Sequence, residues 1–315
     1  MLEFIRQYKI VFALYNFFHR KELKHNELVY QKLGLAKKYY SSISSKDFKQ
    51  FENTNTDNIQ IDPAKISNSS LFKKVQEADK QSLLDYNKNG FAVLHAYLSA
   101  EKVEEINAEI DMLMAKKTIA ITNKNKLMFA IHHSALLSNI GHDKGLKELL
   151  SVLIDGEAVL FQSINFLTGS EQHTHSDSIH MTTYPLGGLL GVWIALEDIT
   201  EENGPLHYYP GSHRLPYYLN ADYQNEGNTW KLGSKSYSEY EEMVAKKIKE
   251  NGIQKTKFLA KKGDLLIWHA NLFHGGEPHQ NKLHSRKSMV YHYFKAGSVC
   301  YHEITQRPAL IKKIG

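Results

Sequence analysis

From about residue 159 onward the chain runs in short apolar stretches broken by glycine and proline, and this punctuation constrains the fold more than any other feature. Segments 159–167, 189–196, 206–209, 257–260, 264–268 and 288–294 are rich in branched and aromatic residues, side chains that suit a pleated, half-buried surface. Gly187-Gly188, Asn203-Gly204-Pro205, Pro210-Gly211-Ser212 and Lys262-Gly263-Asp264 fall between them and supply the backbone conformations of tight turns. Many short strands joined this way predict a mainly β sandwich or jelly roll. The exception is 215–256, where 236–251 reads as a charged helix. We expect a helical insertion there, either a solvated decoration or a lid over a site.

The preceding part is helical in pattern. Residues 73–86 predict a helix stopped by Asn87-Lys88-Asn89-Gly90, followed by a short strand at 91–95. Ser99 is placed to cap a helix carrying Val103, Ile106, Ile110 and Leu113 at helical spacing. Segments 127–137 and 144–153 read as further short helices. Residues 2–38 also read as helical, with Phe4, Tyr8, Val11, Phe12, Tyr15 and Phe18 on one stripe among Arg6, Lys9, Arg20, Lys21 and Lys24. The reading we adopt is a helix packed on the main body; the other is an interfacial helix on an anionic membrane surface. Residues 41–72, rich in Ser, Asn and Asp, read as a linker or surface-wrapping segment. The expected organisation is a helical extension and linker at 1–72 and the chemistry-bearing domain at 73–315.

Charge narrows the function classes. The chain carries a net +5, and all of it is accounted for by residues 1–40, where eight Lys and Arg face Glu3, Glu22 and Glu27. The main body is near neutral, so no nucleic-acid surface is indicated. A single cysteine, Cys300, excludes an internal disulfide and a cysteine-based zinc cluster. The early apolar run 10–18 is shorter than the ~20 residues needed to span a bilayer. With no secretory leader pattern, we expect a cytoplasmic protein, with any membrane contact peripheral and made through 1–38.

The chemistry is carried by His173-Thr174-His175-Ser176-Asp177. On a strand, His175 and Asp177 project to the same face, so an imidazole and a carboxylate converge on one point. They would be two of the three ligands in the 2-His-1-carboxylate facial triad of non-haem Fe(II). Downstream, His274 follows an apolar run and precedes Gly275-Gly276; it is the best third ligand. His269 is its competitor, and His279 and His284 lie in a polar run. Arg286 and Ser288 follow, sharing a strand face with Val290 and His292. An inward arginine needs a carboxylate partner, because an unpaired buried charge is costly. A dicarboxylic cosubstrate would provide one, clamped bidentately by Arg286 with a hydroxyl from Ser288.

With these residues the chain resembles the phytanoyl-CoA dioxygenase-like family of Fe(II)/2-oxoglutarate-dependent oxygenases. The resemblance runs over roughly 88–295. It rests on Asn89-Gly90-Phe91-Ala92-Val93-Leu94, His175-Ser176-Asp177, Val192-Trp193-Ile194-Ala195-Leu196-Glu197-Asp198, Glu202-Asn203-Gly204-Pro205-Leu206, Pro210-Gly211-Ser212-His213-Arg214, Gly263-Asp264, His274 and Arg286, in that order. It implies a double-stranded β-helix core, a jelly roll of cupin type with flanking helices. It further implies Fe(II) bound by His175, Asp177 and His274, and 2-oxoglutarate held by Arg286, with Trp193, Ser288, Gln162 and Lys126 around it and O2 as co-reactant. Related halogenases lack the carboxylate ligand; Asp177 is present, so hydroxylation of an unactivated carbon is expected. The substrate would be a small molecule, lipid or glycolipid. The alternative is a non-catalytic or 2-oxoglutarate-independent metal-binding protein of cupin type.

Overall fold

Strand Ser288–Lys295 shows how the sequence builds the sheet. Its residues alternate between two apolar environments. Met289, Tyr291 and Tyr293 pack under helices, while Val290 joins a second core on the opposite face. Because both faces are buried, the strand reads as a nearly unbroken apolar run rather than as polar–apolar alternation.

The computed structural model describes residues 7–54, 60–122 and 126–312. Its strands, in chain order, are β1 (Phe91–Leu94), β2 (Ile121–Thr122), β3 (Lys126–Met128), β4 (Ala158–Phe166), β5 (Thr182–Tyr184), β6 (Leu189–Ala195), β7 (Leu206–Tyr208), β8 (Thr256–Phe258), β9 (Leu265–His269), β10 (His274–Gly276), β11 (Ser288–Lys295), β12 (Val299–His302) and β13 (Arg307–Pro308). Seven form one antiparallel sheet in the order β1-β9-β6-β11-β4-β3-β2. A smaller sheet, β10-β7-β8, packs against it, and β13-β12-β5 forms a third. Val93, Trp193, Leu266, Trp268 and Val290 of the large sheet meet Leu206, Tyr208 and Phe258 of the small one. These faces enclose the site. The opposite face of the large sheet is covered by helices Ala100–Ala115 and Lys144–Leu153. This is the expected mainly β jelly roll with flanking helices.

Ser99 caps its helix as expected, accepting from Lys102 N, and Val103, Ile106, Ile110 and Leu113 are buried. Four expectations need correction. Segment 127–137 is not one helix: Lys126–Met128 pairs with β4 as a strand, and the helix is Ala135–Gly141. The helix expected over 73–86 is Glu77–Leu84, followed by the turn Tyr86–Asn89. Gly90 ends that turn in the left-handed region at φ 79°, open to glycine at little cost. The N-terminal helix is two, Lys9–Phe18 and Asn26–Leu33; Phe4 and Arg6 lie outside the described residues. Finally, 41–72 is more than a linker. Ile61 and Ile66 enter the main core, and Ile43 and Phe48 pack with Tyr184, Val299 and Tyr301.

The insertion helix is Tyr237–Glu250, opened by a capping box between Ser236 and Glu239. Its Tyr240, Val244 and Ile248 are buried with Ile179 and Phe273. It is therefore packed behind the strand ends that carry the site.

Candidate active site

His175 and His274 are opposite one another in an isolated antiparallel bridge. Each backbone N–H donates to the other's carbonyl at 2.9 Å, which closes the long sequence gap between them. Gly275 follows because nothing larger fits: a β-carbon there would lie 2.7 Å from the carbonyl oxygen of Gln172. The expectation that His175 and Asp177 share a strand face needs refinement. Ser176 is extended, at φ −105° and ψ 149°, but Asp177 already begins a 3-10 turn, Asp177–Ile179. The turn brings the carboxylate to the imidazole. The Tyr240 hydroxyl lies 3.3 Å from Ser176 N and 3.1 Å from Ser176 Oγ, bracing the residue between the two side chains.

The donor atoms are prepared for a cation. His175 Nδ1 lies 2.9 Å from His173 O, and His274 Nδ1 3.0 Å from Leu272 O. A carbonyl only accepts, so each Nδ1 carries the proton and each Nε2 presents a lone pair. Those Nε2 atoms lie 4.0 and 3.7 Å from Asp177 Oδ1. One donor atom from each of the three buried side chains falls within 4.8 Å of the others. Asp177 Oδ2 accepts from Trp268 Nε1 at 2.7 Å and lies 3.6 Å from His292 Nε2. Burial alone would raise the Asp177 carboxyl, but the imidazoles of His274, His292 and His175 outweigh it and hold it below the usual carboxylate range. Burial, with His274 and His180 nearby, keeps His175 neutral. Two imidazole nitrogens and one carboxylate oxygen, open on one side, are the donor set that suits non-haem Fe(II).

The open side faces a cavity of about 440 Å³. Arg286, Trp193, Gln162 and Lys126 line it together with the three donors. Arg286 precedes β11 rather than lying in it, yet its side chain is buried, 2% exposed. Its guanidinium lies 5.4 Å above the Trp193 ring, and Nη1 donates to Ser288 Oγ at 3.4 Å. Its Nε has no hydrogen-bond partner among the described residues. Desolvation pushes its pKa down to about 10, with Glu197 opposing, so it remains a cation at neutral pH. Ser288 does not itself line the cavity; fully buried, it touches Arg286 instead. Gln162 pairs across β4 and β11 with His292, and its Oε1 is buried with no hydrogen-bond partner among the described residues. The Lys126 ammonium lies 4.9 Å over the Phe166 ring.

The competing histidines are placed elsewhere. His269 Nδ1 accepts from Asn271 N, and its ring packs near His213. His279 accepts from Gly169 N, and His284 faces Glu202. His173 is exposed, contributing only its carbonyl. Sequence reasoning missed Trp268 and the role of His292. The signal for His292 was its alternation with Arg286, Ser288 and Val290. For Trp268 it was Gly191, its direct partner across β6 and β9, where a β-carbon would collide with the indole. His180 and His302 also line the cavity, and His180 Nε2 lies 2.9 Å from the Tyr237 hydroxyl of the insertion helix.

Fold and donor set together define a jelly-roll protein with a candidate 2-His-1-carboxylate metal centre. Within that class the chain belongs to the phytanoyl-CoA dioxygenase (PhyH) family, whose model matches residues 86–288. It is 28% identical over 185 residues to phytanoyl-CoA dioxygenase domain-containing protein 1 of Rattus norvegicus, covering 56% of this chain and 59% of that protein. It is 26% identical over 221 residues to ectoine dioxygenase of Nocardia farcinica, covering 63% and 72%. The chain spans less than two thirds of the length of the first curated relatives it matches. Among solved structures, SnoK, a non-heme alpha ketoglutarate dependent carbocyclase from nogalamycin biosynthesis, superposes with a TM-score of 0.59 at 16% identity, covering 76% of this chain and 89% of SnoK. EctD from S. alaskensis with bound Fe gives 0.53 at 21%, covering 68% and 76%. These likenesses show a shared fold.

Proposed function

We propose that this protein is an Fe(II)- and 2-oxoglutarate-dependent dioxygenase that hydroxylates an unactivated carbon of a small-molecule, lipid or glycolipid substrate. The observation that carries the reading is Arg286. A buried guanidinium, unpaired with any described carboxylate, faces the same cavity as His175, Asp177 and His274. An isolated buried cation is costly, and a dicarboxylate reaching from the metal to Arg286 would neutralise it. Membership of the phytanoyl-CoA dioxygenase family supports an oxygenase, and one similar protein is named ectoine dioxygenase.

In this reading His175, Asp177 and His274 hold the iron, which with 2-oxoglutarate and O2 supplies the oxidising equivalent when bound. The remaining roles fall to side chains. Arg286 holds the distal carboxylate of 2-oxoglutarate, fixed by Ser288 and Trp193. Gln162 and Lys126 line the same side of the cavity. Trp268 and His292 keep Asp177 oriented and ionised. Phe166, Val290 and Leu206 exclude water from the reacting carbon. We propose 73–315 as the oxygenase domain, with 215–256 as its helical insertion and 1–72 as an N-terminal extension whose Ile61 and Ile66 pack into its core. We place the protein in the cytoplasm, with any membrane contact peripheral and made through 1–38. No described helix is long and apolar enough to cross a membrane.

The test is paired substitution with succinate release as the readout. Asp177→Ala abolishes release, and Arg286→Ala raises the 2-oxoglutarate requirement about a hundredfold or more, the scale for losing one partner of a buried charge pair. Full activity in Asp177→Ala would remove the triad. An unchanged 2-oxoglutarate requirement in Arg286→Ala would leave a metal-binding cupin-type protein as the better reading.

A further inference from the structure

Helix Lys9–Phe18 is apolar on two sides, and only one of them is covered. Inward, Phe12 and Tyr15 lie 5.5 and 5.6 Å from the Arg307 guanidinium, Tyr15 still 39% exposed, and Asn16 is buried. Outward, Ile10, Leu14, Phe17 and Phe18 are 61%, 56%, 43% and 76% exposed. At 100° per residue these four occupy roughly a 100° sector. Trp230, 73% exposed, extends the patch: its carbonyl accepts from Lys9 N at 2.9 Å, and it lines a groove with Ile10 and Ala13. Single exposed apolar residues are ordinary, but five gathered on one surface mark an interaction site.

We infer that this surface docks the protein on an anionic lipid bilayer. Charge identifies the occupant. The helix contains no acidic residue. Arg20, Lys21 and Lys24 are exposed just beyond it, against two carboxylates nearby in sequence, Glu22 and Glu27. The Arg20 guanidinium lies 4.7 Å over the Phe17 ring, placing a cation at the edge of the apolar sector. Apolar residues immersed at the headgroup boundary with cations beside them is the pattern of an interfacial helix. A second copy of the chain would instead bring like charges together.

The far side of the helix adds a reason for such docking. Tyr15 and Asn16 line a second cavity of about 290 Å³. It shares Phe129, Gln162, Met181 and His302 with the cavity of the candidate metal site. A bilayer held against the helix therefore stands one helix thickness from a chamber leading to His175 and His274. Access of an apolar chain through it rests on the oxygenase reading; the docking itself does not.

Vesicle binding by the full chain tests the docking independently of any activity. The three tryptophans separate cleanly, because Trp193 and Trp268 are 1% and 3% exposed. Adding phosphatidylglycerol-containing vesicles should pellet the protein and blue-shift its fluorescence, a shift absent in Trp230→Phe. Phosphatidylcholine vesicles alone should do so much less, and added salt should weaken the binding. Leu14→Ser with Phe18→Ser should weaken binding about tenfold or more with an unchanged melting temperature. Wild-type protein that stays in the supernatant, or a double variant that pellets equally well, would overturn the proposal. So would a wild-type dimer that the double variant converts to monomer, since a second copy would then cover the face.

Discussion

Asp177 divides its two oxygens between two tasks. Oδ1 faces both imidazole Nε2 atoms, while Oδ2 accepts from Trp268 at 2.7 Å. A hydrogen bond to a buried carboxylate fixes its rotamer as well as its charge, and such outer partners typically set metal affinity within a factor of about 10–100. Trp268→Phe removes the donor together with part of the ring that packs on Gly191. It should weaken Fe(II) binding by that factor in an anaerobic titration while leaving the fold's circular dichroism intact; wild-type affinity would show that the indole N–H does not act on the site. The three donor residues and Arg286 were legible in sequence because residue type and order suffice to suggest them. Trp268 was not, because its role comes from a cross-strand pairing with Gly191 that only the register reveals.

At the scale of elements, the insertion helix Tyr237–Glu250 matters through its tyrosines. Tyr240 braces Ser176 between the two proposed ligands, and Tyr237 reaches His180. Sequence patterning marked this helix by its charge and cap but left open whether it was a decoration or a lid. The contacts show a buttress, because Tyr240, Val244 and Ile248 are buried. Tyr240→Phe leaves Ser176 N and Oγ without this partner inside the protein, a loss of about 1–3 kcal/mol. The expected result is a lowered melting temperature together with weaker Fe(II) binding; a variant melting like wild type would make the bracing incidental. Strands were read well where both faces are apolar, as in 189–195 and 288–295. The short strands Thr182–Tyr184, His274–Gly276 and Val299–His302 were missed, because three or four residues carry too little periodicity to stand out from a loop. The extended geometry assumed for Asp177 also failed, since a 3-10 turn at that position leaves no mark in residue type.

At the scale of the whole molecule, several histidines outside the three donors are folded in neutral form. Burial lowers His25 and His213 to about 4. It lowers His269 and His302 to about 3, with His213 and Arg307 contributing in turn. In the unfolded chain each would titrate near 6.5. Below that pH the unfolded state binds protons that the folded state refuses, so stability falls as pH drops from about 6.5 toward 4 or 3. Each such histidine contributes up to about 1.4 kcal/mol per pH unit across its window. Melting temperature should be flat between pH 7 and 8 and fall steeply from pH 6.5 to 4.5; a flat profile through pH 5 would mean these rings are protonated in the fold. The jelly roll itself was legible in sequence as strand number and turn chemistry. The burial of Ile61 and Ile66 in the main core was not, because they sit in a stretch, 41–72, whose composition is that of a linker.

In the proposed enzyme one cavity joins a three-residue iron site to a carboxylate-binding arginine. Anaerobic titration with Fe(II) and 2-oxoglutarate, followed by visible absorption, measures that junction directly. The expected result is an iron-to-2-oxoglutarate charge-transfer band that needs both components, disappears in Asp177→Ala, and in Arg286→Ala appears only at much higher 2-oxoglutarate. No band in the wild-type protein, or a band unaffected by both substitutions, would contradict it.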